Sequence, residues 1–136
     1  MSLVVDASIV GAWLLPDERS PEAVGIARLI DETETWVPQL FPIEIGNALL
    51  AAERRKRASP AYVAEQLASL ERMPLRLDTE TNAEIWGGTY RLAKDEGLTV
   101  YDATYLELAL RLGAQLATLD RDLANAARRR GLTVLP

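Results

Sequence analysis

The sequence predicts an α/β protein, with a parallel sheet covered by helices on both faces, and three observations carry that prediction. Short runs of β-branched and apolar residues recur along the chain and alternate with stretches of helical periodicity. Several of these runs are apolar at nearly every position, the pattern of strands buried on both faces. No repeat, low-complexity segment or linker divides the 136 residues, so residues 1–136 read as a single domain.

The first strand is predicted over Leu3 to Asp6, from the run LVVD. Ser20-Pro21-Glu22 opens a helix, with a hydroxyl cap and a proline in the first turn. Thr35 to Val37 forms the second strand, and Pro42 opens a helix with Ile45, Ala48, Leu49 and Ala52 on one face. Ser59-Pro60 starts the next helix, before a third strand at Leu75 to Leu77. Thr79 is placed to cap a long helix running towards Gly97. Tyr101 to Leu112 is a helix closed by Gly113, and Gln115 to Thr118 is the fourth strand. Arg121 to Arg130 is a helix closed by Gly131, and Thr133 to Leu135 is a last strand.

Composition removes whole classes of chemistry. The chain has no cysteine, which excludes disulfides, zinc thiolates and cysteine nucleophiles. It has no histidine, which removes Ser-His-Asp catalysis and imidazole ligands. An enzyme made of these residues works through carboxylates, hydroxyls and arginines, and a metal held by them is a hard one, Mg²⁺ or Mn²⁺. No apolar stretch approaches the roughly 20 residues of a membrane span. With no signal-peptide pattern at the N-terminus, the expectation is a cytoplasmic protein. The net charge of −5 weighs against nucleic acid. Two basic runs, Arg54 to Arg57 and Arg128 to Arg130, read most simply as solvated helix ends.

In open parallel sheets, ligands gather beyond the carboxyl ends of the strands. Asp6 ends the first strand and Asp120 follows the fourth, so both belong to that edge. Glu44 lies in PIEIGNALL, in the first turn of its helix, with Asn47 on the same face; Asp102 lies at the start of the helix VYDATYLELA. Each acid has a bland alternative. An Asp between strand and helix ordinarily caps the helix, Glu44 suits a capping box that lacks its Ser or Thr, and Asp122 suits a first-turn acid. Ser8 and Thr118 could be simple turn or strand residues. Taken together the alternatives weaken, because four carboxylates in one cleft repel unless protonated or bridged by a cation.

The stretches VVDASI, PIEIGNAL, VYDATYLELA and LATLDRDLANAA, in that order, make the chain resemble PIN-domain ribonucleases, and among them the VapC-type toxins of toxin–antitoxin pairs. The resemblance covers essentially the whole chain. It implies a three-layer α/β/α sandwich around a short parallel sheet, and cleavage of RNA dependent on Mg²⁺ or Mn²⁺. Carried over by position, Asp6, Glu44, Asp102 and Asp120 would be the acidic metal-binding set. Ser8, Asn47 and Thr118 would be supporting polar groups, and Asp122 an occasional extra acid. The same resemblance implies a homodimer silenced by a small co-encoded antitoxin whose tail enters the acidic groove.

A haloacid-dehalogenase-type phosphatase would need an Asp where Ser8 stands, and a response-regulator receiver would need a Lys ending its last strand. The only lysines are Lys56 and Lys94. The remaining alternative is a catalytically silent PIN-like module that binds RNA or protein.

Overall fold

The computed structural model describes all 136 residues, Met1–Pro136. Five parallel strands form one sheet in the order β3-β2-β1-β4-β5, from β1 (Ser2–Val5), β2 (Glu34–Val37), β3 (Leu75–Leu77), β4 (Gln115–Ala117) and β5 (Val134–Leu135). Strand β1 lies at the centre, with Val4 opposite Trp36 on one side and Leu116 on the other. Leu3, Val4 and Val5 are all fully buried although neighbouring strand side chains point to opposite faces, so helices cover both faces.

The helices fall into two groups. In the first, α1 (Ala7–Leu14) packs on α2 (Pro21–Glu32) and α3 (Leu40–Arg54), and α3 packs on α4 (Pro60–Glu71). In the second, α7 (Val100–Leu112) packs on β1 and β4, and also meets α6 (Tyr90–Glu96) and α8 (Arg121–Arg129). The core joins Leu3, Val5, Ile9, Leu49, Leu106, Leu108, Leu116 and Leu123 into one cluster. No helix is long and apolar enough to cross a membrane.

Local chemistry explains most element ends. Ser20 and Ser59 accept hydrogen bonds from Ala23 and Tyr62 amides, with proline at the first helical position in each case. Gly97 and Gly113 close α6 and α7 at positive φ, where a side chain would be strained.

Several expectations shift. Helix α3 starts at Leu40, two residues before Pro42, because proline is tolerated anywhere in a first turn that lacks amide acceptors. The helix from Thr79 to Gly97 is broken into α5 (Thr81–Glu84), a π-helical turn (Ile85–Thr89) and α6, and its cap position is Glu80. Gly87 and Gly88 lie within the π turn, where weak helix propensity eases the extra residue. Strand β1 is bounded at Val5, although Asp6 stays extended and its amide still donates to the Ala117 carbonyl at 3.1 Å while its side chain caps α1, and β5 begins at Val134.

The basic runs behave as solvated helix ends. Arg57 pairs with Asp17 and Glu18, while Arg129 and Arg130 pair with Glu96.

Candidate active site

The carboxyl edge of β1 and β4 is where the acids meet. Asp6 is 4% exposed and its two oxygens are held from three directions. Oδ1 accepts from the Ser8 hydroxyl at 2.6 Å and from the Ile9 amide at 3.2 Å. Oδ2 accepts from the Thr118 hydroxyl at 2.6 Å. The hydroxyls are locked in turn, because Ser8 Oγ accepts from the Leu119 amide and Thr118 Oγ1 from the Asp120 amide, both at 3.0 Å. Ser8 and Thr118 thus clamp Asp6 between two segments more than a hundred residues apart in sequence.

Asp120 accepts from the Leu123 amide at 2.8 Å and caps α8. Asp6 caps α1 in the same manner. The bland reading of both residues is therefore correct, and it does not remove them from the site: a cap at the end of a strand is already at the sheet edge. Asp102 is different. Thr99 caps α7 through the Asp102 amide at 3.1 Å, which leaves the Asp102 carboxylate in the first turn of the helix and free of that duty.

Glu44 stands in the second turn of α3 rather than the first, because the helix begins earlier than Pro42. Its Oε1 accepts from the Tyr105 hydroxyl at 2.6 Å. Tyr105 was not legible as a functional residue. The one available signal was its position three residues after Asp102, which puts both side chains on neighbouring stripes of α7.

Electrostatics couples these groups. Burial raises the Asp6 carboxyl above its ordinary range, against the lowering effect of the hydrogen bonds from Ser8, Thr118 and Ile9. Burial likewise raises Glu44, with the Tyr105 hydrogen bond opposing it and the charge of Asp6 adding to it. Asp102 is pushed up to about 6, first by burial and then by the charges of Asp120, Asp6 and Glu44. Tyr105 is raised by burial and by its bond to Glu44, so its hydroxyl keeps its proton and stays a donor.

Asn47 and Asp122 are exposed beside the acids. Asn47 is exposed on α3 and Asp122 is exposed in the first turn of α8, where it complements the helix dipole. No hydrogen bond ties either of them to the four acids.

The donor set consists of carboxylate oxygens only, and none of the four acids forms an ion pair, although Asp78, Glu96 and Glu107 elsewhere all do. That chemistry fits a hard divalent cation. No three of the acids converge closely enough to grip a bare ion together, so the fit is to an ion such as Mg²⁺ that keeps several waters of its own.

The raised value at Asp102 has a stability consequence. In the metal-free protein the folded state binds a proton there more tightly than the unfolded chain does. The associated stability is complete below the unfolded value of about 4 and is lost as pH climbs through about 6. Asp102→Asn removes that loss at the cost only of weakening the Thr99 hydrogen bond, which an amide oxygen still accepts. In EDTA at pH 7 it should melt about 4 °C higher than the parent, for a gain of about 1 kcal/mol once solvent screening of a half-buried group is allowed for. At pH 4 the two proteins should melt together. A lower melting temperature for the variant at pH 7 would refute the crowding.

The profile of the PIN domain matches residues 3–129. Ribonuclease VapC3 of Pyrobaculum aerophilum is 36% identical over 124 residues, which span 91% of this chain and 93% of that protein. The crystal structure of PAE2754 from Pyrobaculum aerophilum superposes with a TM-score of 0.70 at 26% identity, covering 98% of this chain and 92% of that one. FitAcB from Neisseria gonorrhoeae superposes with a TM-score of 0.64 at 17% identity over 98% and 96% of the two chains, a likeness of fold.

Proposed function

Because the chain belongs to the PIN-domain family, we propose that it is a metal-dependent endoribonuclease and the toxin of a toxin–antitoxin pair. The observation that carries this reading is the gathering of Asp6, Glu44, Asp102 and Asp120 at one sheet edge, partly buried, mutually repelling and without a paired cation. Uncompensated charge in that quantity is costly in a module that only binds, and it is what a cation site requires.

Each residue has a task that its contacts support. Ser8 and Thr118 hold the Asp6 carboxylate in one orientation. Tyr105 does the same for Glu44. Asp120 is anchored by one oxygen to α8, and its other oxygen has no hydrogen-bond partner. Asp102, the acid with no capping duty, carries the charge most easily neutralised. Mg²⁺ or Mn²⁺, held among these acids partly through waters of its own, would polarise the scissile phosphate and lower the pKa of a bound water, supplying hydroxide where no histidine exists. Binding of the ion has to displace the proton that Asp102 retains below about pH 6, so affinity falls in mild acid.

Incubation of the purified protein with RNA tests the reading. Cleavage is expected with Mn²⁺ at pH 7.5, weaker cleavage at pH 5.5 and none in EDTA. Cleavage that persists in EDTA would overturn metal dependence.

The same acidic groove is a good host for a guanidinium. A small co-encoded antitoxin with Arg in its tail would neutralise the acids and exclude the metal at once. Purification from the native operon should yield that complex assembled on a homodimer, and recovery of a free monomer would refute the partnership.

A further inference from the structure

The cleft has an apolar rim that the chemistry above does not use. Tyr101 is 63% exposed and Leu119 is 47% exposed, although Asp102 and Asp120 beside them are part-buried. Helical spacing locates Tyr101. Tyr105 lies four residues further on, on the same stripe of α7, and its hydroxyl reaches Glu44. Tyr101 therefore stands one turn nearer the open end of α7, on the Glu44 side of the cleft. Leu119 borders the opposite side: its amide binds Ser8 Oγ, while its neighbours Thr118 and Asp120 are bound into the acidic network.

This rim meets a difficulty in the function. Four acids and a net charge of −5 oppose the approach of a polyphosphate chain to the cleft. A contribution to RNA affinity that does not depend on phosphate charge eases that opposition. Unpaired bases supply one, because their faces stack on exposed aromatic rings.

We propose that Tyr101 is a stacking platform for one base of single-stranded RNA next to the scissile phosphate, with Leu119 as the apolar wall across the cleft. The inference rests on the ribonuclease reading and adds a binding residue to it. Every base has a stacking face, so Tyr101 contributes affinity in preference to sequence choice.

Steady-state cleavage of a short single-stranded RNA by the full-length protein in Mn²⁺ tests the assignment. Tyr101→Ala should raise KM by roughly tenfold, the scale of one base–aromatic stack, with kcat changed little. Tyr101→Phe and Tyr101→Trp should keep the parent KM, since both retain a ring. A set of RNAs with one abasic nucleotide at successive positions then locates the base. At one position beside the cut, the missing base should raise the parent's KM as much as Tyr101→Ala does, and should cost that variant nothing more. A parent-like KM in Tyr101→Ala, or abasic penalties equal in parent and variant at every position, would overturn the stacking role while cleavage by the parent leaves the ribonuclease reading intact. Failure of the parent itself to cut RNA would overturn the ribonuclease reading and this inference with it.

Discussion

Asp102→Asn and Asp6→Asn should each lower the rate of RNA cleavage in Mn²⁺ by on the order of a hundredfold or more, because each removes a negative charge from the proposed cation site while keeping the side chain's shape. The two losses differ in origin. At Asp6 the amide also disturbs a carboxylate that receives three hydrogen bonds, so charge and geometry fail together. At Asp102 the only such partner is the Thr99 hydroxyl, whose hydrogen bond opposes the raised value, and the loss is chiefly one of charge. Asp102→Asn is therefore expected to be inactive and, without metal, more stable than the parent. That combination cannot arise from misfolding. Glu65→Gln, at an exposed acid on α4, is the control and should cut RNA like the parent. Full activity in either site variant would remove the acids from the mechanism.

The second large effect lies away from the acids, in the guanidinium of Arg111. It donates to both oxygens of Asp78 at 3.1 and 2.8 Å, to Glu107 at 2.8 Å and to Glu80 at 3.2 Å. Asp78 is 4% exposed and also accepts from the Thr81 hydroxyl. The arrangement ties the end of β3 and the start of α5 to the last turn of α7, the helix whose first turn carries Asp102. Arg111→Met would leave Asp78 and Glu107 buried without a counter-charge. The cost should be about 3 kcal/mol and the fall in melting temperature roughly 10 °C at pH 7.

The pH dependence of that deficit follows from the Asp78 carboxyl, which the Arg111 hydrogen bonds hold below its ordinary range. A lowered folded-state value means stability that is present above about 4 and is lost as pH falls through the folded value. The gap between parent and Arg111→Met should then be full at neutral pH and shrink in acid. Thermal melts at pH 7 and pH 3.5 measure it, and a drop below about 2 °C at pH 7 would show that water already screens the cluster.

Much of this molecule follows from short-range chemistry. Alternating strand and helix patterns determined an α/β sheet, and the absence of histidine and cysteine left carboxylates, hydroxyls and arginines for any catalysis. The caps Ser20 and Ser59 and the closing glycines Gly97 and Gly113 are legible because each acts within a few residues of itself. Asp6 and Asp120 are legible as edge acids for the same reason, since a strand end is a local event.

Tertiary structure alone decided how those acids are held. The Thr118 hydroxyl reaches Asp6 across 112 residues, the Tyr105 hydroxyl reaches Glu44 across 61, and Arg111 meets Asp78 across 33. It also left Asn47 and Asp122 exposed without a hydrogen bond to the acids, and gave Asp102 the crowding of its three neighbours. Helical and strand periodicities encode which face a residue occupies, but they hold no record of what another segment brings to that face. Burial and Coulomb interaction act through space, so they come into being only when the strands are laid side by side.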